Sequence, residues 1–414
     1  MSDFLKLATD YQNALIRQII PFWLKNSRDE RCGGYFDYLS ALGEVIEGDK
    51  TIATQAQQTA VFAWLYKHTD NQSAYLEHAR HGGAFLRQFA QEPSFNGYAE
   101  VDRRGRPVTP SVNRMGDCYM VIAYANLHRA TDESDLATLA MQTFDALCQR
   151  RNESRDEQQR ISGFRQVRHL GEAVAFLQVV LAIHPLLEAE RARELAEEAR
   201  HELLHEFLDR RTDTLREFVL PGGAFLNTPE GRRQHVGLTF RTVSALLDVC
   251  AEPDLTKSGT GRAANRKLIT QVTTWALQVC ERAWDKSAGG LIQYIDLKDQ
   301  PSVFPDATQK WAWVQLEAIL ALAKSYRQTQ QPACLTWLER IHKSVFQHFP
   351  DLKHAAWHVA LDQKNQPLVS AKAMPEAESF ACMRAMAETA EILRNLSANA
   401  DRTKPGRTTA DTAR

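Results

Sequence analysis

Three absences in the sequence limit the class of protein that it can encode. No run of about 18 apolar residues occurs, so we predict no membrane-spanning helix and no membrane partner. The N-terminus has neither the charged region nor the apolar core of a signal peptide. The formal net charge is −1, and this near-neutral balance gives no indication of nucleic acid as a partner.

Paired cysteines are also missing. The seven cysteines are odd in number and widely spaced, and none forms a C-x-x-C pair. We therefore expect reduced thiols and a cytoplasmic protein. Residues 397–414 contain mainly small, charged and turn-forming residues without periodicity, and we predict that they form a disordered tail.

The stretch from Lys310 to Tyr326 is the clearest helix in the sequence. It contains no glycine or proline, and its apolar residues appear on every face, which is typical of a buried helix. Burying charge is costly unless the charge is paired or serves a ligand. The first two turns nevertheless carry polar side chains and two indoles: Lys310, Trp311, Trp313, Gln315 and Glu317. We interpret this end of the helix as the wall of a polar pocket.

Helical segments alternate with short hairpins in a regular repeat. Twelve helices are predicted, and hairpin residues recur after 63 positions from Tyr35 to Tyr98 and after 66 from Leu291 to Trp357. A repeat of two helices and one hairpin stacks into a solenoid or closes into a ring. We predict an all-α fold, an (α/α)6 barrel of twelve helices with short β-hairpins at one end. It forms a single domain over residues 1–396, and an open superhelical array is the alternative.

In such a barrel the more apolar helix of each pair lies inside, and all six inner N-termini meet at one mouth. Free N–H groups and positive dipole ends there suit hydroxyl-rich or anionic ligands. The first turns of these helices carry polar side chains: Gln55, Gln57, Arg114, Asp117, His169, Glu172, His235, Arg241, Lys310, Gln315, Glu317, Glu378 and Arg384. The geometry predicts a polar pocket but does not identify a reaction.

Two motifs have both a structural and a functional interpretation. His201-Glu-Leu-Leu-His205 matches the H-E-x-x-H pattern of zinc peptidases, but both histidines lie opposite the apolar line of their helix. No third ligand follows them, so we predict a surface helix and no metal. His169 and Glu172 share one face of an inner helix, where they form either a core pair or part of the site. Indoles beside carboxylates, as at Trp313, suit the apolar faces and hydroxyls of a sugar.

These motifs resemble the N-acylglucosamine 2-epimerase superfamily, which includes cellobiose 2-epimerases and mannose and sulfoquinovose isomerases. The resemblance covers most of residues 4–396. It depends on Gly33-Gly-Tyr-Phe36, Asp49-Lys50 with Gln55, His169-Leu-Gly-Glu172 and above all Lys310–Ala318. It implies an (α/α)6 barrel that moves a proton at C2 of a reducing sugar, with histidines as general acid and base and with no metal or cofactor.

The polar positions at the inner N-termini and the resemblance together give the expected site residues. The resemblance implies a small-molecule carbohydrate as the partner, and a homodimer is one expected assembly. The expected catalytic residues are His169, His235 and Glu172. The expected substrate-binding residues are Gln55, Gln57, Arg114, Asp117, Trp311, Trp313, Glu317 and Arg384.

Three positions depart from the family pattern. Gln57 replaces an arginine, Leu238 replaces a glutamate, and Ala381 replaces the second catalytic histidine. Three hypotheses follow: a divergent isomerase or 2-epimerase, a sugar-binding or regulatory protein that has lost catalysis, and an (α/α)6 glycosidase using Asp117 and Glu317. For the first, the replacement acid or base is sought among three residues: Glu378, Cys382 and His358.

Overall fold

Long helices form most of the chain. The computed structural model describes residues 3–46, 48–110, 114–157, 167–256 and 260–402. The helices are α1 Phe4–Ala14, α2 Ile20–Asn26, α3 Ile52–His68, α4 Ser73–Phe89, α5 Met115–Thr131, α6 Ser134–Glu157, α7 Leu170–Ile183, α8 Ala189–Glu202, α9 Pro229–Arg232, α10 Val236–Ala251, α11 Thr260–Ala283, α12 Ala312–Thr329, α13 Pro332–His348 and α14 Ser379–Arg402. A π-helical turn at Leu15–Ile19 joins α1 to α2, and another at Leu203–Phe207 extends α8.

Six of these helices form a closed inner ring. The order is α3, α5, α7, α10, α12 and α14, each packed on the next, and α14 packs back on α3. Each inner helix carries an outer partner: α4 on α3, α6 on α5, α8 on α7, α11 on α10, α13 on α12 and α1 on α14. The predicted (α/α)6 barrel is confirmed, and closure between α14 and α3 rules out the open superhelix.

Burial separates the two rings, as the sequence pattern predicts. In α12 every residue from Ala312 to Ser325 is buried. In the outer helix α4 the buried side chains recur on one face only, which is the stripe expected of an amphipathic helix. The predicted inner position of the helix that follows Lys310 is therefore confirmed.

Short strands cover the N-terminal end of the inner ring. They are β1 Lys50–Thr51, β2 Tyr98–Val101, β3 Pro107–Pro110, β4 Arg168–His169, β5 Leu208–Asp209, β6 Thr214–Leu215, β7 Phe218–Val219, β8 Arg233–His235, β9 Tyr294–Asp296, β10 Lys310–Trp311 and β11 Ala360–Leu361. Strands β1, β4, β8 and β10 lead directly into α3, α7, α10 and α12. Antiparallel pairing joins β1-β2-β3, β4-β7, β5-β6, β8-β9 and β10-β11, so several pairs connect distant segments rather than forming local hairpins.

Two glutamines hold loops against the inner helices in the same way. Gln55 Oε1 accepts a hydrogen bond from Tyr35 N at 2.7 Å, and its Nε2 donates to Tyr35 O at 3.0 Å. Gln315 makes the same two bonds to Leu291, both at 2.8 Å. We call each arrangement a glutamine latch. Gln55 is completely buried, and the latch uses both ends of its amide. The structure therefore corrects its predicted role in sugar binding.

Buried lysine–aspartate pairs accompany both latches. Lys50 Nζ lies 3.1 Å from Asp29 Oδ2, and Lys310 Nζ lies 2.9 Å from Asp285 Oδ2. Lys310 also donates to Asn365 Oδ1 at 2.8 Å. The charge at the start of the Lys310 stretch is thus paired inside the protein, which corrects its interpretation as a pocket residue.

Asp117 holds the hairpin before α5. Its Oδ1 accepts a hydrogen bond from Gly97 N at 2.7 Å, and its other oxygen forms an ion pair with Arg150. The side chain is buried and does not line the axial cavity described below, so the predicted contact with sugar is corrected here too.

The last inner helix continues beyond its predicted end. Helix α14 extends to Arg402, so residues 397–402 of the predicted tail are helical. Residues 403–414 lie outside the described residues. In the part of the chain that the structure describes, each helix is too short or too polar to cross a lipid bilayer.

Candidate functional site

His169 lies at the N-terminal mouth of the barrel. It is the last residue of β4 and caps α7, and pairing between β4 and β7 places its ring 4.8 Å from that of Phe218. Its Nε2 is 3.4 Å from Glu217 Oε1, and the side chain is 34% exposed. A partly open imidazole next to a carboxylate is a suitable arrangement for proton transfer.

The carboxylate of Glu217 is almost fully buried yet remains ionised. Arg233 donates two hydrogen bonds to it, from Nε at 2.7 Å and Nη2 at 2.8 Å. Burial acts to raise the pKa of Glu217, but the hydrogen bonds with His169 and Arg233 and the positive charge of Arg233 bring that pKa below its ordinary value. An ionised Glu217 accepts a hydrogen bond from the Nε2–H of His169. The proton of the neutral imidazole is then on Nε2, and Nδ1 carries the free lone pair.

Glu217 was missed in the sequence, where Glu172 was the expected partner of His169. The structure pairs Glu172 with Arg114 instead, at 2.6 Å between Oε2 and Nη2. The predicted orienting role of Glu172 is corrected. No spacing rule reveals Glu217, because it follows His169 by 48 positions and only the β4-β7 pairing brings the two together.

His235 also lies at the N-terminal mouth, but its side chain is buried. It caps α10, where its Nδ1 accepts a 3.5 Å hydrogen bond from Leu238 N. Its ring lies 4.9 Å from Tyr294 and 5.1 Å from Trp313. Burial lowers its pKa to about 3, so the ring is neutral at pH 7. The hydrogen bond assigns the proton to Nε2, which makes His235 a hydrogen-bond donor rather than a base.

The two tryptophans of the Lys310 stretch belong to different surroundings. Trp313 is buried against Gly237, where an added Cβ would lie 2.3 Å from the indole, and it lies under His235. Trp311 donates from Nε1 to Gln309 Oε1 at 3.1 Å and packs on a small cluster around Val359. Of the two tryptophans, only Trp313 therefore contacts His235.

Below Trp313, a set of ion pairs crosses the barrel axis. Arg241 donates from Nε to Glu317 Oε1 at 2.9 Å and from Nη2 to Glu378 Oε2 at 3.1 Å. Gln57 Nε2 lies 3.3 Å from the same Glu378 oxygen. Burial acts to lower the pKa of Arg241, but the carboxylates of Glu378 and Glu317 raise it well above its ordinary value. Glu378 adopts a left-handed backbone with φ of 48°, which is uncommon for a residue other than glycine.

A cavity of about 560 Å³ continues from this network along the barrel axis. We call it the axial cavity. Gln57, Glu317, Glu378 and Ala381 line its inner end, and its outer end reaches exposed residues at the C-terminal ends of the inner helices. His169 and His235 do not line it. Of His169, Glu172, His235, Trp313 and Glu317, which were expected to line one cavity, only Glu317 lines the axial cavity.

The wall of the axial cavity contains a second set of buried charges. Lys324 Nζ lies 2.7 Å from Asp248 Oδ2 and 2.8 Å from Glu388 Oε2. Arg384, expected to bind substrate, donates from Nε to Glu388 Oε1 at 2.6 Å. Arg384 therefore lines the cavity while it is already bonded to the protein.

Among the three candidate replacements for the lost histidine, Glu378 is the best placed. Burial raises the pKa of the Cys382 thiol well above its usual range, which makes it unreactive. His358 lies near Asp351, at 3.9 Å, and does not line the axial cavity. Glu378 lines that cavity beside Ala381.

The two histidines of the H-E-x-x-H motif are exposed, whereas its Glu202 is buried and paired with Arg151. His201 and His205 stack at 3.8 Å between ring centres, and His205 Nδ1 contacts Arg210 Nη2 at 2.5 Å. In the described ranges, a different trio places three potential ligand atoms within 4.8 Å of one another, namely His184, Glu252 and Asp254. The absence of a metal remains a prediction.

Comparison with known proteins identifies several relatives. A model of the family described as N-acylglucosamine 2-epimerase (GlcNAc 2-epimerase) matches residues 34–381. The N-acylglucosamine 2-epimerase of Rattus norvegicus is 24% identical over 384 residues, which cover 91% of this chain and 89% of the rat protein. Among solved structures, cellobiose 2-epimerase from Bacillus thermoamylovorans B4167 has a TM-score of 0.79 at 17% identity, covering 93% of this chain and 99% of that one. A D-mannose isomerase has a TM-score of 0.77 at 16% identity, covering 92% and 97%.

Proposed function

Because the chain belongs to the N-acylglucosamine 2-epimerase family, we propose that it transfers a proton at C2 of a reducing mono- or disaccharide, as a sugar isomerase or 2-epimerase. The observation that carries this proposal is the His169–Glu217 pair at the N-terminal mouth. It combines a partly exposed imidazole, an ionised carboxylate behind it and a neutral histidine, His235, close by.

In this proposal His169 is the base. Its Nδ1 takes the C2 proton of the opened sugar, and the electron pair moves into a C1–C2 double bond as charge develops on O1. Glu217 stabilises the imidazolium that forms, because it is ionised and hydrogen-bonded to Nε2. His235 donates a hydrogen bond from its Nε2–H to the developing oxyanion and keeps its proton, as a preorganised donor does in an oxyanion hole.

The position of the returning proton decides the product. Return to C1, together with transfer of the O2 proton to O1, gives a ketose, whereas return to C2 from the opposite face gives the 2-epimer. Helices α7 and α14 are opposite one another in the ring order, so Glu378, just before α14, lies across the barrel from His169. Glu378 nevertheless lines the axial cavity, which His169 does not line, and its carboxylate is paired with Arg241, so it does not supply the opposite-face proton.

The experiment is proton exchange at C2 in deuterated water, measured by proton resonance on N-acetylglucosamine, cellobiose, mannose and glucose. We expect exchange by the wild type on at least one sugar. The variants His169→Gln and Glu217→Gln should lose about 10²-fold or more, which is the usual effect of losing a general base or the group that orients it. Glu172→Gln should lose far less, because Glu172 pairs with Arg114 rather than with His169.

A larger loss from Glu172→Gln than from Glu217→Gln would restore the sequence-based assignment and contradict the pair described here. Full exchange by His169→Gln would remove His169 from the mechanism. Circular dichroism of each variant controls for misfolding.

A second candidate function is sugar binding without catalysis. It is favoured by Gln57, Leu238 and Ala381, which lack the groups of the family pattern, and by Arg241, which neutralises Glu317 and Glu378. Binding of a sugar without exchange at C2 would identify this function. The glycosidase hypothesis loses its support, because Asp117 is held by Gly97 and Arg150 and does not share a cavity with Glu317.

A further inference from the structure

The outer half of the axial cavity is a chamber that the proposed proton transfer does not use. We call it the C-terminal chamber and define it by Trp64 and His68 of α3, Gln178 of α7, Ala251 of α10 and Arg327 of α12. His68, Ala251 and Arg327 are exposed, so the chamber opens on the face of the barrel opposite His169 and His235. A ligand can therefore enter it without passing the N-terminal mouth.

Several polar groups on the wall of the chamber have no partner in the described part of the chain. The amide of Gln178, the guanidinium of Arg327 and the indole N–H of Trp64 all line the cavity, and none makes a hydrogen bond to the described residues. Gln178 is notable because its neighbours on α7, from Ala173 to Leu177 and from Val179 to Val180, are buried and apolar. Gln178 and Trp64 are half-buried and Arg327 is exposed, so these three polar groups can be reached from the chamber and are available to a ligand.

The charges around the cavity favour a neutral ligand. Five basic and six acidic side chains line it, which leaves almost no net charge. The deeper charges are already paired within the protein: Lys324 with Asp248 and Glu388, and Arg384 with Glu388. A bare anion or cation would have to compete with these pairs, whereas a hydroxyl group can share the remaining lone pairs and N–H groups.

Trp64 adds a flat apolar surface. Its indole stacks on His68 with 4.2 Å between ring centres and 10° between planes, so one face is fixed against the imidazole. An indole beside amides is suited to the apolar C–H faces and hydroxyls of a sugar ring. The whole cavity, at about 560 Å³, is within the range of about 300–1,000 Å³ that is typical of small-molecule sites.

We propose that the C-terminal chamber is a second binding site for a neutral, hydroxyl-rich ligand of mono- or disaccharide size, entered from the C-terminal face of the barrel and separate from the His169–Glu217 pair. Gln178 and Arg327 hydrogen-bond the hydroxyls, and Trp64 covers one face of the ring. The proposal concerns binding alone and requires no chemistry at C2.

The test is calorimetric titration with mannose, N-acetylglucosamine, cellobiose and inorganic phosphate, in a His169→Gln background that prevents conversion of the sugar. Gln178→Leu removes the amide, and Ala251→Trp fills the opening from an exposed position. The matched control is Ala189→Trp, an exposed alanine at the start of α8 that does not line the cavity.

We expect one or more sugars to bind, and Gln178→Leu and Ala251→Trp each to weaken that binding by at least about tenfold, while Ala189→Trp leaves it unchanged. Thermal unfolding of each variant shows that it is folded. Binding that both substitutions leave intact would place the sugar elsewhere and overturn the proposal, as would tighter binding of phosphate than of any sugar or no sugar binding at all.

Discussion

At the scale of one residue, Glu217 shows how a buried carboxylate is kept ionised. A carboxylate taken out of water tends to bind a proton, and a protonated Glu217 would have no negative charge to stabilise an imidazolium at His169. Arg233 prevents this with two hydrogen bonds. Its guanidinium is itself held over the rings of Tyr294 and Phe304, at 4.2 and 4.5 Å. Tyr294 and Phe304 thus position Arg233. Arg233 in turn keeps Glu217 ionised beside His169.

The buried His235 makes a prediction for stability against pH. Its pKa is about 3 in the folded protein, against the ordinary histidine value of 6.5 that applies to the unfolded chain. Between these two values the unfolded chain binds a proton that the folded chain does not. The contribution of His235 to the free energy of unfolding should therefore rise with pH across this window, by up to ~1.4 kcal/mol per pH unit, and be lost as the pH falls.

The measurement is urea unfolding between pH 4 and pH 7 for the wild type and His235→Asn, since asparagine can cap α10 without titrating. The slope should be smaller for His235→Asn than for the wild type, while His78, which is also buried with a pKa of about 3, contributes equally to both. An unchanged slope would show that His235 is not the group responsible.

At the scale of elements, the glutamine latches connect the loops to the inner helices. Leu291 is completely buried, and its N–H and carbonyl groups both bond to Gln315. A helix that begins inside the protein also needs its entering strand fixed, and β10 pairs with β11 immediately before α12. The latch and the strand pair together set where α12 starts.

We predict that Gln315→Leu lowers the free energy of unfolding by about 2–4 kcal/mol, because two buried backbone groups lose their partners. Urea unfolding followed by circular dichroism measures the loss. Gln328→Leu is the matched control on the same helix: Gln328 donates a single bond, to Leu247 O, so its loss should be clearly smaller. Equal losses would mean that the latch contributes no more than an ordinary hydrogen bond.

The elements could be predicted from the sequence, but the partners of individual side chains could not. Apolar periodicity identifies the inner helices, because burial on all faces leaves a continuous apolar pattern. The sequence makes three loop-binding residues look like pocket residues: Gln55, Asp117 and Lys310. A polar side chain at the N-terminus of an inner helix can bond to a loop or to a ligand, and the sequence pattern is the same in both cases. Their loop partners and Glu217 become neighbours only through pairing between distant segments, which local periodicity does not encode.

At the scale of the whole molecule, the two ends of the described chain meet. Helix α1 packs on α14 and completes the outer ring where the inner ring closes. Gln18 strengthens this closure, because its Oε1 accepts a hydrogen bond from Trp357 Nε1 at 2.9 Å and its carbonyl accepts one from Ala356 N at 3.2 Å. Adjacent ends are typical of folds that tolerate circular permutation.

We predict that a permutant beginning at Gln331 and ending at Gln330, with residues 403–414 joining the original ends, folds and unfolds cooperatively in urea. Gln330 and Gln331 are exposed between α12 and α13, so a break there removes few contacts. The control opens the chain between Leu320 and Ala321, inside the buried helix α12, and should not fold. If both permutants failed, the N-terminal segment would have to precede the rest of the chain for reasons beyond ring closure.

The left-handed backbone of Glu378 has a consequence for how the sequence can change. A residue other than glycine in this conformation costs of order 1–3 kcal/mol, so glycine at this position would relieve strain. Selection for stability alone would favour that replacement. It would also leave Arg241 with one carboxylate instead of two and remove the carboxylate to which Gln57 Nε2 donates. At this position the stability of the backbone and the ion pair of the side chain therefore favour different residues. A glycine here in a descendant sequence would indicate that the charged network on the barrel axis has been lost.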